Sequence, residues 1–471
     1  MSDEDYSDSS DDWFCPYIGR YEVPPAACCP IASVPREILG IVFEEVQSIY
    51  EEQLEYHNNG SAKKWEMDEL QKPGLFVISQ VCRTWYQVVH GTPALWTTVS
   101  VDASIWSEIK TIPSAALLRL VIRNLDRSGG LPISLYVKTG RNKKVAAKLL
   151  SACLAHHGRF QMLSVDICSL PSTYQLPTIG AFPVLERVTI YYSNGSPLIP
   201  IDRAPRLRSV ELHDNYDSEY WHIYRIPFTE AVPVLPWNQI TALESTAHIS
   251  GAPLLTEILS RLPAAATADV CLGFPSFRRL ASPVRISILT LKIGVHPEGG
   301  KRPDALGDVF ASMTLPNIQS LEISCTAHRD HGRWSNAEWS LLAARSSFST
   351  HLTSLSILVE ISAQDLIATL ESLPILETAS IQELHPDIVL NDAVLRVLAD
   401  TKALPKLTKV ELRNTCVHFT DDALFALARS RTWQSNGIVV YVAREPVRQF
   451  TKEMEPSLGK LGVDVLHNRY C

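Results

Sequence analysis

Apolar residues near the start of the chain fall on a helical period. Ile41, Val42, Val46 and Ile49 follow Ile38 by three, four, eight and eleven residues, one face of an amphipathic helix over 35–50 with Pro35 tolerated in its first turn. Residues 51–73 are polar, contain Asn58-Asn59-Gly60-Ser61 and close on Pro73, which predicts a loop or short extra helix inserted at this point. A second periodic run follows. Leu75, Ile78, Val81, Cys82, Trp85, Val88 and Val89 share one face and predict a continuous helix ending near Gly91, ahead of Thr92-Pro93.

Beyond Trp96 the period changes from helical to alternating. Apolar residues at positions 1, 4 and 6 of a short unit recur nine times, from Phe160-Leu163-Val165 and Leu185-Val188-Ile190 to Leu376-Ala379-Ile381 and Leu407-Val410-Leu412. This spacing resembles the strand core of a leucine-rich repeat. Successive units start 22 to 34 residues apart except for one gap of 48, which a degenerate unit at Val270 to Leu272 divides in two. Ile133 to Val137 is a candidate first unit. Phe182-Pro183, Ala204-Pro205, Leu315-Pro316, Leu373-Pro374 and Leu404-Pro405 stand just ahead of their strands, where proline ends one element and feeds an extended one. Helix-like runs at 144–156, 253–262, 304–313, 337–345, 364–373, 392–401 and 421–431 separate the strands, the last with Thr420 as N-cap, acids in its first turn and arginines in its last.

Each unit in such a series buries its strand only against the next, giving one continuous core and a concave strand face. The expected fold is therefore an α+β chain with an α/β repeat: an N-terminal helical module, then an irregular leucine-rich-repeat-like βα solenoid over 100–471, closing with strands at 437–443 and 462–467. At position 9, where Asn or Cys would bond the turn, only Asn215 and Cys168 match, which predicts an irregular array. Neither G-x-G-x-x-G nor G-x-x-x-x-G-K occurs, so the sequence offers no phosphate-binding turn.

Composition narrows the class. With 46% hydrophobic and 20% charged residues most of the chain should fold, and 30 Pro against 21 Gly suits many short, sharply ended elements. A net charge of −8 disfavours nucleic acid or an anionic membrane as the main partner. Ten scattered cysteines without a C-x-x-C pair read as reduced thiols. The first twelve residues, six acids and four serines among them, predict a disordered acidic tail, and 13–33 an extended lead-in; residues 1–30 are set apart from the helical module at 31–98. That start is unlike a signal peptide and no apolar run approaches about 18 residues, so a soluble cytoplasmic or nuclear protein is expected.

Catalytic signals are sparse. His156-His157 sit at a helix end, and His328 and His331 lack a third ligand nearby. No nucleophile elbow, H-E-x-x-H or kinase set is present, so neither a metal nor another cofactor nor a catalytic residue is expected. Binding has more candidates. Tyr191, Tyr192, His213, Asp214, Asn215, Tyr216, Tyr220, Trp221, Tyr224 and Trp237 cluster where loops leave the central strands, and Trp334 lies in a second such loop at 329–339.

The helical module carries a further pattern: Val34-Pro35 at the entry, Ile38, Leu39, Ile41, Val42 and Phe43, then Val77, Ile78, Val81, Cys82, Arg83 and Trp85, and Pro93, Leu95 and Trp96 at the exit. In this order it resembles an F-box, of the F-box-like type numerous in mushroom-forming fungi, and departs from it by the insertion at 51–73. The resemblance implies docking onto the Skp-type adaptor of a cullin-RING ubiquitin ligase through Val34, Pro35, Ile38, Leu39, Val42, Phe43, Ile78, Val81, Cys82 and Trp85. It also implies a non-catalytic role, with the repeats holding a target protein. A scaffold of similar build working outside a ligase is the alternative.

Overall fold

The computed structural model describes residues 34–46, 75, 78–103, 114–139, 142–168, 170, 174, 180–192, 199–214, 235–250, 252–273, 279–296, 305–325, 333–382, 389–415, 419–430, 433, 437–442, 459, 461 and 463–467. The predicted acidic tail, the lead-in and the insertion at 51–73 lie outside them. The described residues form two compact units, one up to Leu95 and one from Trp96 onward.

The first unit is helical. Residues 36–46 form one helix within the expected 35–50, whose last four positions are not among those described. Its Leu39 and Phe43, one turn apart, are buried, and Phe43 meets the Trp85 ring edge-on at 5.0 Å. Leu75, Val88, Val89 and Leu95 are buried in the same unit, while Arg36 donates to the Gln87 side chain at 3.0 Å across the pair. The second helix is not the continuous one that periodicity predicts. A turn at Val81, closed by its N–H on the Ile78 carbonyl at 3.2 Å, is followed by Cys82 in an extended conformation (φ −163°, ψ 168°), and the helix proper runs Arg83–Gly91. The break leaves Val81 and Cys82 exposed.

The second unit is built on strands β1 (Thr98–Asp102), β2 (Ile133–Lys138), β3 (Phe160–Asp166), β4 (Arg187–Tyr192), β5 (Ser209–Asp214), β6 (Ala242–Ser250), β7 (Thr267–Gly273), β8 (Val284–Arg285), β9 (Thr290–His296), β10 (Met313–Thr314), β11 (Ser320–Cys325), β12 (Ser354–Leu358), β13 (Thr378–Gln382), β14 (Lys409–Thr415), β15 (Ile438–Val442) and β16 (Val463–His467). Fourteen of them pair in chain order as one parallel sheet, and β8 pairs with β10 apart from it. Each strand bonds the one before and the one after, the arrangement of a leucine-rich-repeat-like βα array.

Register follows the repeat. Position 4 of one unit lies beside position 4 of the next, as in Leu163↔Val188↔Val210 and Leu291↔Leu321↔Leu355, and position 6 does the same in Val165↔Ile190↔Leu212 and Ile293↔Ile323↔Ile357. Both rows are buried over their whole length between β1 and β14, because side chains two apart on a strand share a face. Two expectations need correction. The series begins one strand earlier than Ile133, at β1, whose Val99 and Val101 enter the same two rows. The degenerate unit enters them through Ala268 and Val270, not Val270 and Leu272; a small alanine at position 4 hides its phase.

The prolines act at a defined point. In all five units proline is second in a four-residue turn whose fourth N–H returns to the first carbonyl, for example Leu207 to Ala204 at 3.1 Å and Leu376 to Leu373 at 3.1 Å. Its fixed φ suits that position, and the turn's first and last residues are both buried, so the turn pins the chain to the core just before each strand.

Helices flank much of the sheet. Those expected at 144–156, 253–262, 304–313, 337–345, 364–373, 392–401 and 421–431 are Lys143–Leu154, Ala252–Arg261, Ala305–Ser312, Asn336–Ser346, Ala363–Glu371, Asp392–Ala399 and Asp421–Arg429. A further helix, Ser114–Arg127, buries Leu117, Val121 and Leu125. Among the described residues, the connections from β3 to β6 hold no α-helix. Thr420 caps the last helix by accepting from the Ala423 N–H at 3.3 Å, and its own N–H and hydroxyl donate to Asp392 at 2.6 and 3.0 Å, tying this helix to the one before. Thr420→Ala removes the cap and the hydroxyl's bond to Asp392, while the backbone N–H can still donate to that carboxylate, and should cost about 1 kcal/mol, measured by denaturant titration; a change below about 0.3 kcal/mol would show the cap to be replaceable.

Candidate functional site

Two surfaces stand out, one in each unit. In the helical unit the apolar arc of helix 36–46 is wider than its interior needs. Leu39 and Phe43 occupy the inward edge at 4% and 1% exposure, whereas Ile38, Ile41, Val42 and Val46 on the adjoining arc are 48%, 61%, 48% and 40% exposed. Val81 and Tyr86 are exposed as well. Six of the nine large apolar side chains exposed among the described residues thus fall in this small unit. Such a concentration marks a surface made to be covered.

These positions divide the ten residues assigned to adaptor docking. Pro35, Ile38, Val42, Val81 and Cys82 face solvent, and Val34, Ile78 and Trp85 are half-buried. Leu39 and Phe43 are a correction: both lie in the interior between the helices and hold the unit together. Ile41, Val46 and Tyr86 belong to the exposed face and were not among the ten; Ile41 and Val46 were legible from the same helical period.

In the repeat unit the candidate surface is the sheet face opposite the buried rows, formed by positions 3, 5 and 7 of each strand. Position 5 runs Thr189↔Glu211↔Glu244↔Asp269↔Lys292↔Glu322 across β4 to β11. Lys292 sits between two acids, 3.9 Å from Asp269 and 3.8 Å from Glu322. A depression of about 220 Å³ lies over this row. Toward the beginnings of β2 to β5, a cleft of about 660 Å³ is lined by Gln161, Glu186, Arg187, Arg206 and Arg208, with Ser134, Met162 and Ser209.

The carboxylates of the row differ in environment. Glu211 is held below the usual carboxylate range, first by the His213 side chain 3.8 Å away and also by the Thr189 hydroxyl, which donates to it at 2.8 Å; partial burial opposes both. Burial pushes the Asp269 carboxyl up, Lys292 pulls it back, and the negative Glu244 and Glu322 push it further up. The signs are therefore opposite. Glu211 contributes stability that is present above the unfolded value and lost as pH falls through its depressed folded one, whereas ionising Asp269 costs stability as pH rises from the unfolded value through the raised one. Glu211→Gln should lower the melting temperature at pH 7 and Asp269→Asn should hold or raise it, both differences fading below about pH 4; matching shifts of the same sign would contradict this assignment.

The predicted binding loops fare unevenly. His213 ends the described side-chain pattern of β5, stacks on Tyr191 at 4.8 Å and meets the Thr246 hydroxyl at 3.2 Å. Tyr192 is half-buried and packs against the core. Asn215, Tyr216, Tyr220 and Trp221 lie outside the described residues. Trp334 is a correction: it is 5% exposed, enclosed by Phe310 and Trp339 at 5.2 and 4.8 Å, because this interior needs large aromatic side chains to fill it. Trp237 is buried for a like reason, in the turn ahead of β6. His157 is engaged with the Leu154 carbonyl at 3.0 Å and with Phe182, and among the described residues no cluster of His, Cys, Asp or Glu could hold a metal. No helix among them is long and apolar enough to cross a membrane.

No protein-family model and no curated protein matches this chain. Solved structures do. A protein from Bacteroides fragilis is 13% identical over 61% of this chain and 66% of its own, with a TM-score of 0.32. A chain of the yeast Rad7–Elc1 complex is 10% identical over 77% of this chain and 96% of its own (TM-score 0.29), and one of the mouse RP105/MD-1 complex is 12% identical over 67% and 54% (TM-score 0.33). This chain thus spans about two thirds of the first of these and about half of the last. The repeat architecture rests on the strand register itself.

Proposed function

We propose that this protein is the substrate-recognition subunit of a cullin-RING ubiquitin ligase: its helical unit docks onto a Skp-type adaptor, and through it onto the cullin scaffold, while its repeats hold a target protein. One observation carries the reading. The sequence that resembles an F-box coincides with a helix whose outer apolar arc, Ile38, Ile41, Val42 and Val46, is left uncovered although its inner arc already fills the interior. A helix needs only one apolar stripe to pack in a small unit, so the second has a partner to meet. The strand face of the repeats, rich in charge, suits a protein target more than a small molecule. The protein works by position and performs no bond chemistry, in the cytoplasm or nucleus.

Co-expression with a Skp-type adaptor tests this. A stoichiometric complex surviving gel filtration is expected. A soluble chain that elutes alone would favour a scaffold working outside a ligase.

A further inference from the structure

The charge on the strand face is more ordered than solubility requires. Across β5 to β11, position 5 sets four carboxylates against one ammonium, a surplus of three negative charges. The cleft at the beginnings of β2 to β5 has the opposite sign: Arg187, Arg206 and Arg208 are exposed around Glu186, whose carboxylate accepts from the Gln161 amide at 3.2 Å. Three guanidinium groups against one carboxylate leave two positive charges. Ser209 lines both the cleft and the depression over the acidic row, so the two regions adjoin.

We propose that this face receives an extended peptide segment of mixed charge, its Asp or Glu side chains over Arg187, Arg206 and Arg208 and its Lys or Arg side chains over Glu244 and Asp269. The inference rests on reading this face as the target-binding surface and names the chemistry of the target. Complementary charge fixes register and speeds encounter more than it adds affinity, which suits a surface that must tell one segment from another. Arg208 and Asp269 stand two strands across and three residues along from each other, roughly 14 Å at strand spacings of about 4.8 Å and 3.3 Å per residue. An extended chain covers that in four to five residues.

Other anionic ligands fit less well. A nucleic-acid strand leaving the cleft toward β6 would run over the carboxylates, and its phosphates would be repelled. A single phosphate leaves most of a 660 Å³ cleft unfilled, and the three arginines come from separate places, Arg187 from the start of β4, Arg206 from the turn ahead of β5 and Arg208 from the residue just before that strand.

Fluorescence anisotropy with the full chain decides it. The probe is a synthetic peptide holding an Asp-Glu-Asp block and a Lys-Arg-Lys block four neutral residues apart, made in both orders. One order should bind, with peptides carrying either block alone at least tenfold weaker, and binding should weaken as salt shortens the screening length from about 10 Å toward 3 Å. Joint Arg206→Glu and Arg208→Glu replacement should cost at least tenfold for this probe and gain binding for a peptide with two Lys-Arg-Lys blocks, a reversal that misfolding cannot produce. Absence of binding in both orders overturns the proposal, as does displacement of the probe by a single-stranded oligonucleotide or tenfold tighter binding when one phosphoserine replaces the acidic block. Adaptor co-purification, run on the same samples, separates the readings. Peptide failure with the adaptor retained overturns this inference alone, and adaptor failure with peptide retained overturns the docking role alone.

Discussion

Joint replacement of Ile41 and Val42 by aspartate is expected to abolish retention of a Skp-type adaptor while leaving folding stability within about 0.5 kcal/mol of the parent. Both side chains are already largely in water, at 61% and 48% exposure, so the folded chain loses little by the change. In a complex the same two side chains would be desolvated, and each fully buried aliphatic is worth roughly 1.5–3 kcal/mol. Losing two, and placing two carboxylates under an apolar partner, multiplies to well over a hundredfold in affinity. Leu39→Ala is the informative contrast: Leu39 is buried, so that variant should lose stability by about 2–5 kcal/mol and lose the adaptor only through unfolding. Retention of adaptor by a folded Ile41→Asp, Val42→Asp chain would remove the exposed arc from the docking surface.

Leu321→Ala should be strongly damaging to the repeat unit, costing about 2–5 kcal/mol. Leu321 lies in the middle of the position 4 row, between Leu291 and Leu355, and is 1% exposed. Truncation removes contacts with both neighbouring strands at once and leaves a void that two stacked units must tolerate. Glu322 next to it points to the other face, and Glu322→Gln should stay within about 0.5 kcal/mol. The pair tests register by calorimetry: comparable losses at the two positions would mean that the strand faces are assigned wrongly.

Most strands were legible in the sequence because position 4 and position 6 sit two residues apart, and a strand cannot bury both without aligning them on one face. Proline two residues ahead of the first apolar position marked the turn as well. What escaped had physical reasons. β1 offers only Val99 and Val101, too short a pattern to stand out before its partner is known. Ala268 fills a position where most other units place a larger residue, and unlike Ala379, which stands between Leu376 and Ile381, it has an alanine, Ala265, at the first position of its unit, so the phase of β7 could be set only by its neighbours. The helix Ser114–Arg127 mixes buried Leu117 with exposed Ile122, blurring its stripe. At Cys82 neither glycine nor proline announces the break, which is a backbone matter that periodicity ignores. The exposed arc was half legible: the helical period named its members but not which of them the interior would claim. Trp334 misled because RDHGRWSNAEW reads as polar loop, while the space between Phe310 and Trp339 belongs to the packing of residues far apart in the chain.

Because every strand in the large sheet bonds only the units before and after it, no part of the array waits on a distant part to form. Folding can begin at any pair of adjacent units and spread outward, and damage stays near where it falls. The same independence bears on ancestry. A whole strand with its connection can be added or deleted between neighbours and the rest closes up in register, so a lineage of such chains can lengthen, shorten and re-letter the exposed strand face while the stacking that supports it goes on unchanged.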